Sequence, residues 1–308
     1  MHNTTTTPKR RQLTGQRAAA AGIVSAVLAF APGGTAIATP TTSDVQLECG
    51  AVIAENVRLT RDLVGCPGNG LIVGADGVDI DLNGHLISGT GPFVSLSGID
   101  IDAHQNVRIK NGRISDFSRG VLGYDADAAR VERVKITRTL EGVNFEESTG
   151  VKVMGNRLVS NREGMVLRRT EKVTVAGNVA VNNDTTGITD IDSRDNLHTR
   201  NHVAGNTFDG IALESAVNTV VINNVVRRNG IDGIDAVVGS GVRYVGNHVS
   251  YNDANGINDS GDGTVWRRNT TNHNGAVGLR ADGPDHIDAG GNQALYNGEQ
   301  DCIGIRCR

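Results

Sequence analysis

This 308-residue chain is poor in aromatic side chains, at 3% of residues with a single tryptophan. That leaves material for a thin core only, one filled by Val, Ile and Leu rather than by large rings. No segment shows helical periodicity over ten or more residues, so bundles and helix-layered α/β domains are excluded. No basic stripe stands out, and the formal net charge of −4 is spread along the chain, which argues against a nucleic-acid partner. There is no glycine-rich phosphate loop and no G-x-S-x-G nucleophile elbow, so neither of those catalytic frameworks is present. The apolar run from Ala18 to Phe30 is too short and too interrupted to span a bilayer.

What the chain has is period. A glycine followed by an aliphatic residue recurs at Gly98-Ile99, Gly120-Val121, Gly142-Val143, Gly164-Met165, Gly187-Ile188, Gly210-Ile211, Gly233-Ile234, Gly256-Ile257 and Gly278-Leu279, in steps of 22 or 23 residues. An asparagine pair, N-x4-N, runs in phase with it from Asn156/Asn161 to Asn292/Asn297. Such self-similarity marks a solenoid or array. The unit is too short for helix-pair repeats or propeller blades, and it lacks the leucine-rich frame. Each unit reads instead as short apolar β-runs between turns, for example Val173–Ala176, then Gly177-Asn178, then Val179–Val181, then Asn182-Asn183-Asp184. Three such strands and three turns fill one coil of a parallel β-helix. The 28 asparagines acquire two expected roles: tolerance of left-handed backbone at turns, and amide ladders between stacked coils.

The segments Asp81–Gly89 and Asn106–Ile114, together with the N-x4-N-x3/4-G-I repeats, resemble the secreted right-handed parallel β-helix repeat proteins abundant in actinobacteria. The resemblance covers residues 45–308 and extends more distantly to the nitrous-oxide-reductase accessory proteins, pectate lyases and alginate epimerases. It implies an all-β, single-chain right-handed parallel β-helix, here of nine to ten coils. It implies little about catalysis, because most members of the secreted subgroup have no assigned reaction.

Residues 1–38 have the form of an export signal: Lys9-Arg10-Arg11, the apolar stretch, then Ala36-Ile37-Ala38 as a cleavage site. Arg10-Arg11-Gln12-Leu13 also fits a twin-arginine signal. Residues 39–76 are expected to hold the N-terminal cap and first strands, and residues 77–308 the β-helix proper with a disulfide-closed C-terminus. Four cysteines in an exported chain suggest disulfides. Pairing by proximity, Cys49 with Cys66 and Cys302 with Cys307, is the simplest of the three connectivities. A zinc ion shared by all four is excluded by the length of the rod, on the order of 45 Å. The product is expected to be a secreted or cell-envelope monomer with no membrane span after signal cleavage.

Chemistry is expected on the strand that follows each Gly-aliphatic pair. If the aliphatic residue points inward, the next residue and the one two beyond it point outward. Two polar patches result. The first comprises Asp100, Asp102, Tyr124, Asn144, Glu146 and Arg168, and the second Asp235, Asn258, Arg280 and Asp282. Paired carboxylates near an arginine could hold calcium or act on a sugar; the competing reading is a solvated face whose charges compensate each other. Asp79 and Asp81, beside Asn83-Gly84-His85, suggest a metal or acid/base site, but Asn-Gly is first a tight turn. His198, His202, His248 and His273 invite a copper or zinc reading. His202 and His248 stand two coils apart, too far to share one ion, and no metal site is assigned.

The polygalacturonase and alginate-epimerase residue sets are missing. Arg108-Ile109-Lys110 matches a fragment of the former but stands alone. A lyase needs a base and a cation to stabilise developing charge; Arg168 or Arg280 could serve as the cation, but no base is poised. The expected function is therefore a non-catalytic module for polysaccharide or cell-wall glycan, without a cofactor other than a possible calcium ion. A polysaccharide lyase, epimerase or hydrolase, or a structural surface scaffold, are the competing readings. Tyr124, the one aromatic in the two outward columns, places the ligand at the first patch.

Overall fold

The computed structural model describes residues 43–92 and 95–308; the expected export signal, residues 1–38, lies outside the described residues. Pro40–Arg308 form one compact unit. Every strand pairing is parallel, and the strands stack into three ladders along a right-handed solenoid. One ladder is a twelve-stranded sheet running from Ala51–Ile53 to Cys302–Ile303. The other two contribute one short strand each per coil, as Thr174–Ala176 and Val179–Val181 do. They merge where Arg108–Ser115 and Arg130–Thr137 run unbroken through the corner.

The twelve strands amount to about eleven turns rather than nine to ten. Gly70-Leu71 opens one of the additional coils, but it precedes Gly98 by 28 residues, which hides it from a search at constant spacing. Ala51–Ile53 and Cys302–Ile303 pair into the same sheet without the Gly-aliphatic signature.

The Gly-aliphatic column stacks in register as expected. Ile188, Ile211, Ile234 and Ile257 are direct partners and fully buried. A given coil adds one or two inward side chains per face, so the core is a set of columns rather than a jigsaw. The asparagines form two continuous ladders at successive corners. Asn178 is representative: its Oδ1 accepts the backbone N–H of Asn156 (2.9 Å), and its Nδ2 donates to Val153 O (2.8 Å) and to Asn201 Oδ1 (3.1 Å). The carboxylates of Asp288 and Asp301 accept the last amides, those of Asn292 and Asn297, both at 3.0 Å.

One part of the expected asparagine role is corrected. The ladder asparagines do not adopt left-handed backbone; the residue before each one does. Gly177, Arg200, Asn223 and Gly246 precede one ladder at φ between 54° and 63°, and Asn182, Gly205, Arg228 and Tyr251 precede the other at 54° to 65°. The asparagine side chain must point inward to bridge coils, so the tight turn is made one position earlier.

From Gly142 to Gly278 the glycine of each Gly-aliphatic pair sits against the second ladder. A Cβ on Gly210 would lie 2.3 Å from Val226 Cγ1 and 2.7 Å from Asn229 Nδ2. This contact is why the two sequence series share a phase: the amide ladder occupies the space a side chain would need.

Both proximity disulfides form, with Cα–Cα separations of 5.3 Å for Cys49–Cys66 and 6.2 Å for Cys302–Cys307. The second holds a tail across the end of the tube, where Ile305 is 8% exposed and joins the core.

Candidate functional site

The outward face of the twelve-stranded sheet carries the sequence-derived candidates in continuous columns. Asp100, Leu122, Asn144, Val166, Thr189, Ala212, Asp235, Asn258 and Arg280 are successive register partners. Beside them run Tyr124, Glu146, Arg168, Ile191, Glu214 and Val237. Asp102 and Asp282 lie past the ends of their strands, Asp100 and Ala281, and are exposed.

The first patch satisfies itself. Tyr124 donates its hydroxyl to Glu147 (2.7 Å), which Arg169 also contacts at 3.0 Å. Glu146 lies between Arg168 at 3.9 Å and Arg169 at 3.6 Å. Asn144 is 1% exposed and donates to Glu141 (2.7 Å), itself paired with Arg119 (3.1 Å). Asp100 accepts the Asn69 amide at 3.0 Å, and burial, reinforced by Asp102, raises its pKa. In the second patch Asn258 donates to Asp235 (2.8 Å), and Arg280 is 2.6 Å from Asp282.

Between the two patches the face is concave. A groove of about 570 Å³ has a mixed lining of apolar side chains, Phe208, Ile191, Val237 and Val238, and acidic ones, Glu163, Asp209, Glu214 and Asp235. Its volume lies within the range of small-molecule sites. Thr189 and Ala212 form its floor and are 5% and 7% exposed, whereas Phe208 is 47% exposed and Val238 74%. Of the candidates taken from the sequence, Asp235 alone lines this groove.

The residues missed belong to a third outward column, one position before each glycine: Arg119, Glu141 and Glu163 are register partners, and the same place in later coils holds Thr186, Asp209, Asp232 and Asn255. Strict strand alternation turns that position inward, but the chain bends at the glycine. Its recurring polar character was the available signal. Asp209 Oδ1 accepts the N–H of Asp232 (2.9 Å), and Asp232 Oδ1 accepts that of Asn255 (2.6 Å). Burial pushes the Asp209 pKa up to about 6, with Asp235 and Asp232 adding repulsion. Burial likewise raises Glu163 and Asp235.

The remaining candidates separate into pairs. Asp79 binds Lys110 (2.7 Å), Asp81 accepts from Asn111 (3.1 Å), and His85 pairs with Asp62 (3.0 Å). His198 points into the tube, fully buried, with Nε2 2.8 Å from Asp190. His202 and His248 flank Val225 in their column. His273 is sandwiched between Tyr251 and Tyr296, at ring distances of 4.8 and 5.2 Å. Among the described residues no three His, Cys, Asp or Glu side chains converge on a point where an ion could be held.

No curated protein matches the chain by sequence. Among solved structures, the periplasmic alginate epimerase AlgG superposes with a TM-score of 0.61 at 13% identity, covering 82% of this chain and 70% of that one. The Dettilon tailspike protein gives 0.65 at 12% identity, over 81% of this chain and 60% of its own length. The A-module of the Azotobacter vinelandii mannuronan C-5 epimerase AlgE4 gives 0.56 at 14% identity, over 82% and 87%. At these identities the likeness establishes the fold. The profile of the family described as periplasmic copper-binding protein (NosD) matches residues 80–282, so well over half of the sequence carries its pattern and the chain belongs to the NosD family.

Proposed function

We propose that this protein is an exported rod that binds a glycan chain, without cleaving it, in the groove between Phe208 and Val238. The observation that carries the reading is the groove itself: an open concavity on a sheet face, with an exposed aromatic ring among carboxylates. A pyranose presents an apolar C–H face and a polar rim, and such a mixed lining complements both. Relatives in fold include epimerases of alginate and mannuronan, which use the same architecture on saccharide chains. Two disulfides and membership of a periplasmic family support export. The first patch, around Tyr124, Glu146 and Arg168, would serve as an outer subsite further along the same columns.

Binding is preferred to lyase or epimerase chemistry because among the described residues no arginine or lysine lines the groove. Abstraction of a proton beside a carboxyl group requires a cation where the charge develops, and Arg280 is held by Asp282 at 2.6 Å. The copper named in the family description does not fit this chain's donors. Its four cysteines are in disulfides, and the histidines among the described residues are dispersed over separate coils and faces. No step is routed through copper.

A glycan array, with retention compared between the native protein and Phe208→Ala, tests the proposal. Loss of binding in the variant at unchanged melting temperature is the expected result. Release of unsaturated uronides, read at ~235 nm with and without calcium, would replace binding by lyase chemistry.

A further inference from the structure

Elsewhere on this solenoid several acidic side chains have cationic partners. Asp116 meets Arg138 at 2.7 Å, Glu132 meets Arg108 at 2.6 Å, and Glu141 meets Arg119 at 3.1 Å. Among the described residues Glu163, Asp209, Glu214 and Asp235 enter no ion pair. Three of them are nonetheless fixed in place by a single oxygen. Thr189 donates its hydroxyl to Glu163 Oε1, the Asp232 N–H donates to Asp209 Oδ1, and the Asn258 amide donates to Asp235 Oδ1. Among the described residues the second oxygen of each accepts no side-chain hydrogen bond.

Holding several half-buried carboxylates together without a direct ion-pair partner is unfavourable, because each loses hydration and each repels the next. Free carboxylate oxygens in such a groove complement a cation. The described donors do not converge for a metal ion, so the complementary charge is one carried by the ligand. An ammonium group has three N–H donors and suits carboxylate oxygens that approach from different coils. Successive coils lie about 4.8 Å apart, close to the length of one sugar unit, so a polymer laid along the axis can present an amine to more than one coil.

Resting on the groove reading above, we infer that the groove selects a saccharide chain bearing free, protonated amino groups, and rejects polyuronates. The lining that recommends the fold's saccharide connection has the wrong sign for an acidic glycan. Apolar contact with Phe208 and Val237 supplies the sugar-face interaction that any glycan shares, and the carboxylates supply the discrimination.

The test is calorimetric titration of the mature protein at pH 7 and low salt with three oligosaccharides of equal length: glucosamine, its N-acetylated counterpart, and galacturonate. Glucosamine oligomers should bind at least ~10-fold more tightly than the N-acetylated form, lose that advantage at high salt, and galacturonate should not bind. The double variant Glu163→Gln, Asp235→Asn keeps the shape of both side chains and should reduce glucosamine binding to the N-acetylated level. Equal affinity for the amine and its acetylated form, or preference for galacturonate, overturns the amino-sugar inference while leaving the groove standing. Absence of binding to all three, or binding that Phe208→Ala leaves untouched, overturns the groove reading itself. Calcium alone binding to the native protein and not to the double variant would assign the carboxylates to a metal and refute the inference.

Discussion

Replacement of Asn201 by alanine isolates what the amide ladder contributes. The Asn201 side chain is 1% exposed and takes part in four hydrogen bonds. Its Nδ2 donates to Val175 O and Asn224 Oδ1, each at 3.0 Å. Its Oδ1 accepts from the backbone N–H and the Nδ2 of Asn178, at 2.9 and 3.1 Å. Truncation strands the Asn178 N–H inside the tube, where water does not reach it, and deprives the Asn178 amide and the Val175 carbonyl of a partner. An unsatisfied buried polar group costs about 1–3 kcal/mol, and partial relaxation brings the expected total to roughly 3 kcal/mol. For a chain of this length that lowers the melting temperature by about 6–12 °C. Because a solenoid's coils contact only their neighbours, the loss should also be local. Hydrogen exchange should accelerate at Asn178, Asn201 and Asn224 and remain slow near Val131. Asn182→Gly, at an exposed corner with φ 54°, serves as control and should change stability by less than ~0.5 kcal/mol. If Asn201→Ala melts like the control, or loosens the whole rod evenly, the ladder does not carry the load assigned to it.

Gly210→Ala should destabilise by roughly 3 kcal/mol, because its Cβ meets Val226 Cγ1 at 2.3 Å and the Gly233 carbonyl oxygen at 2.5 Å; chemical denaturation reads it, and a silent substitution would show that the corner has room. Asp259 is 1% exposed, and burial pushes its pKa up from 3.8 to about 6. Its stability contribution is therefore full below about pH 4 and is lost as pH rises through about 6, a cost on the order of 3 kcal/mol at pH 7. Asp259→Asn should flatten the melting temperature over that window; an unchanged slope would assign the dependence to other groups. Tyr124→Ala combined with Glu146→Gln should weaken glycan retention less than Phe208→Ala does, and the reverse order would move the main subsite back to the first patch. Cys302→Ser should release the tail that places Ile305 in the core, so limited proteolysis should trim the C-terminus first while coils before Asn252 stay protected.

The repeat makes the scaffold legible because its physics is local to one coil and copied in every other. Gly-Ile and N-x4-N each mark a place where a coil touches the next coil at the same position, so a spacing of 22 or 23 residues in the sequence becomes a vertical contact in space. Stacked Ile188 to Ile257, both ladders and the face that carries Asp100 to Arg280 follow from that alone. Coils that break the spacing escape it, as those at Leu71 and Cys302 do. The left-handed turns also fall one residue before the expected position, since the sequence shows which residue recurs but not which way its side chain must point.

The groove belongs to the tertiary structure. Phe208 comes from a turn, Glu163 and Asp209 from a column on the far side of a glycine bend, and Val238 from the opposite corner. Only Phe208 and Asp209 adjoin in sequence, and alternation counted forward from the aliphatic residue passes over the acidic column. Charge state was equally out of reach. Glu146 and Asp235 occupy equivalent-looking outward positions, yet the first lies between two arginines and the second stands unpaired in a groove. Period determines the rod because each coil repeats one set of contacts; the site is decided by where different coils depart from that repeat and meet in space.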